Sequence, residues 1–175
     1  FLRYARPVTL NLSEVDLQDL VDNLAREARE EAAPAGVAIE VRGTFPRIVA
    51  DEALVRQAIR NLLMNAIEAF PPSGPAASAR GPEAVSRRVI VHGEPQTEPQ
   101  GGVRLVVEDN GLGIAKENLP RIFTPFFTTK ERGTGLGLAL VQKTAVVHDG
   151  QVEVLSDPGR GTAFALILPA RPRAP

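Results

Sequence analysis

Asn61 and Asn65 stand four residues apart in a stretch of helical apolar periodicity, so both amides leave one face, with Glu68 close to the same line. Asparagine is a mediocre helix former, and two in one helix are explained either by a solvated face or by a ligand. Amide oxygens are hard donors suited to Mg²⁺ beside phosphate. Further on, Glu108-Asp109-Asn110-Gly111-Leu112-Gly113-Ile114 begins at the end of an apolar strand. It reads as a plain turn, or as a carboxylate held rigidly while glycines let another group approach the backbone. Inside a pocket, Asp109 would accept from an exocyclic amine and reject a carbonyl; losing that hydrogen bond costs roughly 1 to 3 kcal/mol, enough to favour adenine over guanine.

Gly133-Thr134-Gly135-Leu136-Gly137-Leu138 opens a helix, and the free N–H groups and positive dipole end there suit an anion such as a polyphosphate. Lys130 precedes the glycines instead of following them, which excludes a Walker loop, and no βαβ unit surrounds them, which excludes a Rossmann site. Lys130 and Arg132 either screen phosphate charge or are simply solvated. Between the two glycine clusters lie Phe123, Pro125, Phe126 and Phe127. A core cluster and a loop that closes over a ligand would both need this composition.

These residues need a scaffold. Val8 to Asn11 reads as a short strand, and Leu17, Leu20, Val21, Leu24 and Ala28 trace an amphipathic helix ending near Pro34-Ala35-Gly36. Val37 to Val41 and Ile48 to Ala50 are strands. Asp51 is an N-cap for a second helix running to Phe70, with Leu54, Ala58, Ile59, Leu62, Ala66 and Ala69 as its apolar face. Pro71 to Ser86, rich in Pro, Ser, Gly and Ala, reads as a mobile surface loop. Arg87 to His92 and Val103 to Glu108 form an antiparallel pair. A third helix runs from Thr134 or Gly135 to His148, closed by Gly150, and Val152 to Leu155 and Ala163 to Leu168 supply the last strands. The fold class is therefore α/β, a two-layer sandwich with three helices on one largely antiparallel sheet.

At 175 residues, 43% of them hydrophobic, the chain has enough material for one core. Lys plus Arg (20) balance Asp plus Glu (21), so no basic field points to nucleic acid. Without cysteine, disulfides, thiolate metal sites and cysteine nucleophiles drop out, and a reducing compartment fits. No apolar run approaches the roughly 20 residues that span a bilayer, and the start is no signal peptide. A first residue of Phe instead of Met fits a piece of a longer protein.

In order, Asn61-Leu62-Leu63-Met64-Asn65-Ala66, Asp109-Asn110-Gly111-Leu112-Gly113-Ile114, Phe123-Thr124-Pro125-Phe126-Phe127 and Gly133-Thr134-Gly135-Leu136-Gly137-Leu138 closely resemble the four boxes of histidine kinase ATP-binding domains. The Thr128-Thr129-Lys130 run resembles that of nitrogen-regulation-type kinases. The resemblance implies the Bergerat ATP-binding fold on a mixed sheet, with ATP and Mg²⁺ as ligands. Asp109 would meet the adenine amine beside Gly111, Gly113 and Ile114. Asn65 would hold Mg²⁺, with Asn61 nearby, and residues Ala115 to Gly133 would form an ATP lid. From that lid Lys130 would reach the phosphates; Phe126 and Thr129 lie in it, and Gly133, Thr134, Gly135, Leu136 and Gly137 would complete the nucleotide site.

It further implies transfer of the γ-phosphoryl group to a histidine elsewhere, because His92 and His148 sit in no phosphoacceptor motif. Residues 1–7 would end the linker from a dimerisation and phosphoacceptor domain, 8–169 would be the catalytic domain and 170–175 a frayed tail. A response regulator and a homodimeric, membrane-anchored or soluble parent would be the partners of a cytoplasmic domain. Gly159-Arg160-Gly161-Thr162 resembles a further family turn of structural kind. Gyrase-type ATPases share the fold and use a helix glutamate on water, but Asn61 occupies that position here. A pseudokinase module is a second alternative, against which stand the intact boxes.

Overall fold

The computed structural model describes residues 9–71, 86–97, 101–131 and 133–173. The expected mobile loop of 71–86 falls almost entirely outside them. β1 (Leu12–Asp16) leads directly into α1 (Leu17–Ala32), whose N-cap Asp16 accepts from the Asp19 N–H. A 3-10 turn containing Pro34 ends the helix, with Gly36 at φ +65°. There follow β2 (Ala38–Gly43), β3 (Arg47–Asp51), α2 (Glu52–Glu68), β4 (Arg88–Pro95), β5 (Val103–Asp109), α3 (Gly137–Val147), β6 (Gln151–Asp157) and β7 (Gly161–Leu168).

Five strands form a mixed sheet in the order β2-β4-β5-β7-β6, parallel only between β2 and β4. The three helices pack on it as a second layer with α2 between α1 and α3, so the expected sandwich is found. The expected single sheet is not: β1 and β3 pair with each other as a separate antiparallel ribbon. The first strand lies at Leu12–Asp16; of the expected Val8–Asn11, residues 9–11 form no strand and Val8 falls outside the described residues. Its register sets Val15 against Ile48, both buried, and that pair anchors the ribbon to the core.

Asp51 caps α2 as expected, accepting from the Leu54 N–H at 3.2 Å. The buried face is Val55, Ala58, Ile59, Leu62, Leu63, Ala66 and Ile67, however; Leu54 and Ala69 are only half-buried. A helix flanked on both sides buries a wider stripe than one lying on a sheet alone, and α1 and α3 flank this one.

β5 alternates Val103, Leu105 and Val107 toward the helices, and the next position on that face is Asp109. A carboxylate thus takes the place of the last core residue in the row. α3 begins at Gly137, two residues after the latest expected start, and its end is closed by Asp149 at φ +56° and by the Gly150 N–H donating to Ala145 O. His148, 1% exposed, donates from Nδ1 to Thr144 O and accepts on Nε2 from the Asp51 N–H at 2.9 Å. It ties the end of α3 to the start of α2.

The tail expected to fray from Ala170 is docked through Arg173. Val49 N–H donates to Ala170 O at 2.8 Å, Pro172 is buried, and Arg173 N–H donates to the Asp149 carboxylate. The backbone N–H of edge residue Val49 needs an acceptor, and the tail provides it. Among the described residues no helix is long and apolar enough to cross a membrane.

Candidate nucleotide site

A cavity of about 570 Å³ opens between α2, the end of β5, the start of α3 and the segment from Gly113 to Gly135, floored by Thr162 and Phe164 of β7. Asp109 lies in it at 6% exposure. Its carboxylate accepts from the Gly111 N–H at 2.8 Å and from the Thr162 backbone. Burial pushes this carboxyl above its ordinary value; the Gly111 and Thr162 hydrogen bonds pull it down, Glu108 adds to the rise and Lys130 opposes it. A desolvated carboxylate favours any ligand that brings it an N–H donor.

The chain after Asp109 is clamped from two sides. A Cβ on Gly111 would lie 2.6 Å from Ala69 O, and the Leu112 N–H donates to that oxygen at 3.0 Å, so this turn is seated under the end of α2. Gly113 has φ +71°, and a Cβ there would lie 2.3 Å from Asp157 O. Ile114 N–H donates to Ser156 Oγ at 2.8 Å, and that hydroxyl also meets Thr162 Oγ1 at 2.8 Å. Asn110 serves the turn itself: its Oδ1 accepts from Arg88 N–H and its Nδ2 donates to Ser86 O.

On α2, Asn61 Nδ2 donates to Gly137 O at 3.3 Å, joining the helix to the first turn of α3. Asn65 Oδ1 accepts from Lys130 Nζ at 3.2 Å, and the same ammonium pairs with Glu68 at 2.5 Å. No side chain caps α3 at Leu136, and Gly133, Thr134, Gly135, Gly137 and Leu138 border the cavity beside it. The orphan N–H groups of a helix start are therefore available to an anion there.

The phenylalanines divide. Phe123 packs edge-to-face on Phe164 with centroids 6.3 Å apart, and Phe127 lines the cavity under the Arg121 guanidinium, 4.4 Å from its ring centre. Phe126 is 77% exposed at φ +66°, and its N–H donates to Gly135 O at 2.9 Å. Gly135, at φ +70°, allows this approach: a Cβ would lie 2.4 Å from the Phe126 carbonyl carbon.

Of the residues singled out in the sequence, Asn61, Asn65, Asp109, Gly113, Ile114, Thr129, Lys130, Gly133, Thr134, Gly135 and Gly137 meet at the cavity. Gly111, Phe126 and Leu136 do not line it: Gly111 faces α2, while Phe126 and Leu136 (43% exposed) point to solvent. Thr162, read from sequence as part of a structural turn, is on the cavity floor because β5 and β7 pair Asp109 with Thr162. Only that register could have found it. Met64, Asn118, Ile122 and Phe164 also line the walls and carried no signal beyond ordinary periodicity.

The lining fits a purine nucleotide: a buried acceptor among apolar walls, with N–H donors, threonines and one lysine elsewhere around the same cavity. No group of three His, Cys, Asp or Glu among the described residues could hold a metal ion by itself. Asn65 and Glu68 offer oxygens side by side to a cation shared with a ligand, and in this structure those oxygens hold the Lys130 ammonium.

Known proteins resemble this chain in sequence and in fold. Over 170 residues the chain is 35% identical to the sensor histidine kinase ZraS of Escherichia coli (strain K12), covering 96% of this chain and 33% of that protein. The catalytic domain of histidine kinase ThkA superposes with a TM-score of 0.76 at 26% identity, over 93% of this chain and 98% of that one. Full-length ShkA in complex with AMPPNP gives a TM-score of 0.76 at 29% identity, over 97% of this chain and 33% of that one. The chain thus spans about a third of the length of ZraS. Residues 50–172, which carry both asparagines, Asp109 and the glycine-bounded segment, match the model of one family, and the chain belongs to it: the histidine kinase-, DNA gyrase B- and HSP90-like ATPases.

Proposed function

We propose that this domain binds ATP with Mg²⁺ and donates the γ-phosphoryl group to a histidine on a dimerisation domain of the same sensor kinase. The observation that carries the reading is the buried Asp109 carboxylate at the end of β5, facing a cavity bordered by the uncapped start of α3. Asp109 accepts from the adenine amine, and the clamped turn of Gly111, Gly113 and Ile114 fixes its position. Asn61 and Asn65 lie at the phosphates, with Asn65 as ligand to Mg²⁺, which supplies charge neutralisation there. Thr129, Lys130 and Gly133 to Gly137 contribute donors to the phosphate oxygens. Phe126 and Leu136, outside the cavity, move with the segment that closes it.

The transfer breaks the bond between the γ-phosphorus and its bridging oxygen and forms a bond from phosphorus to an imidazole nitrogen. Positioning and charge stabilisation carry the rate, and the reaction needs no base from this domain. The acceptor is external: neither His92 nor His148 lines the cavity, and both ring nitrogens of His148 are engaged. ShkA was solved with AMPPNP, in keeping with this ligand class. The parent would be a cytoplasmic-facing homodimer that passes the phosphoryl group to a response regulator, with residues 1–7 ending the linker and the catalytic unit following.

Calorimetric titration with ATP and GTP, each with and without Mg²⁺, tests the reading. Adenine-selective, Mg²⁺-dependent binding is expected. Equal affinity for GTP would remove Asp109 from its role, and transfer of label from ATP to water but not to the parent's histidine would favour a plain ATPase.

A further inference from the structure

The described charges of the cavity wall set two carboxylates against one ammonium. Among the described residues lining it, the charged ones are Glu68, Asp109 and Lys130. A carboxylate beside the phosphates repels what the lysine attracts. Glu68 follows Asn65 by three residues on α2, so the two side chains share a face. Both turn an oxygen to one atom: Lys130 Nζ lies 2.5 Å from Glu68 Oε2 and 3.2 Å from Asn65 Oδ1. An amide and a carboxylate oxygen around a cation are hard donors, the kind a divalent metal takes as readily as an ammonium.

We propose that Glu68 and Asn65 form a cation-exchange site, held by Lys130 while the nucleotide is absent and given over to the divalent cation when Mg·ATP enters, which frees the ammonium for the phosphates. The inference rests on the ATP reading above and adds Glu68 to it. Lys130 is the one described cation in the lining, and in the nucleotide-free domain it is committed to α2. Once it turns to the phosphates, no other described cation of the lining is left to compensate Glu68, and a divalent cation can take the place of the ammonium. Glu68 thereby makes the divalent cation a condition of tight binding, and it sets the resting position of the segment that bears Lys130.

The test is Glu68→Gln, which keeps size and hydrogen bonding and removes the charge. The ion pair is about half exposed on both sides, so the effect is about two- to fivefold, as for other half-solvated pairs. In calorimetry without Mg²⁺ the variant should bind ATP more tightly than wild type by that factor, while with Mg²⁺ the advantage disappears or reverses. An unchanged ratio of affinities with and without Mg²⁺ overturns the exchange, including the case where both affinities rise together, which is simple repulsion. A second measurement needs no nucleotide: trypsin should cut after Lys130 faster in the variant, and an unchanged rate overturns the resting contact. A wild-type domain that binds no adenine nucleotide at all fails the ATP reading instead, whereas normal wild-type binding with an unaltered variant fails this inference alone.

Discussion

The two ends of the cavity are built on different principles. Around Asp109 every tie involves a backbone group: the Gly111 and Thr162 backbones hold the carboxylate, the Ser156 hydroxyl holds the Ile114 N–H, and the Asp157 carbonyl lies against Gly113. Around the Lys130 ammonium the contacts are side-chain ones, half exposed, that a ligand can replace. In the ATP reading proposed above, a preformed base pocket would let a nucleotide be recognised before the phosphate end is organised, and an exchangeable phosphate end would let product leave. On that reading, rigidity is placed where identity would be read and looseness where chemistry would turn over.

The largest effect should come from Asp109→Asn, which removes the charged acceptor at the rigid end. Loss of a hydrogen bond to a charged group costs about 1.5 to 3 kcal/mol, or roughly 10- to 150-fold in ATP affinity. Calorimetry reads it directly, and wild-type affinity would sink the adenine assignment. The fold should not suffer, because the substitution removes a buried charge whose ionisation burial opposes. A melting temperature at neutral pH equal to or above that of wild type is expected.

The contrast between the ends is sharpened by two glycines of nearly equal φ, Gly113 at +71° and Gly135 at +70°. An added methyl at either meets backbone, Asp157 O at 2.3 Å or the Phe126 carbonyl carbon at 2.4 Å. Left-handed backbone alone costs a non-glycine residue about 1 to 2 kcal/mol. In Gly113→Ala that strain falls on the junction of β5 with the β6–β7 turn, so thermal stability should drop along with binding. In Gly135→Ala the neighbour is Phe126, whose side chain stands in solvent, so the segment can shift: ATP affinity should fall while the melting temperature stays within a degree or two. Equal losses of stability would erase the distinction between the two ends.

How much of this was legible in the sequence follows the same division. Asn61, Asn65, Asp109 and the glycines each belong to a local pattern, and a local pattern places them correctly on helix, strand end or helix start. Thr162 does not, since its role is created by the β5–β7 register between residues far apart in sequence. The true face of α2, with Val55, Leu63 and Ile67 inside, was hidden because it depends on having a helix on each flank. Phe126 has the composition of a ligand contact, but an inverted backbone at that one residue turns it outward. The docked tail was hidden because the need it meets, an N–H on β3, is invisible until the ribbon of β1 and β3 exists.

The smallest expected effect, and the one that separates recognition from stability at a single atom group, is the pH dependence of Asp109. Its carboxyl is raised in the nucleotide-free fold, first by burial. A raised group stabilises the fold most below its unfolded pKa of 3.8, and that contribution is lost as pH rises through the folded value. In the proposed role the ionised form is the acceptor for ATP, so affinity should move the other way and decline as pH falls through the same folded value. Wild type compared with Asp109→Asn removes every other titrating group from both measurements, including the phosphates of ATP. On acidification the melting temperature of wild type should gain on the variant while its advantage in ATP affinity shrinks. Two trends of the same sign would mean that the carboxylate facing the ligand is not the group whose burial the fold resists.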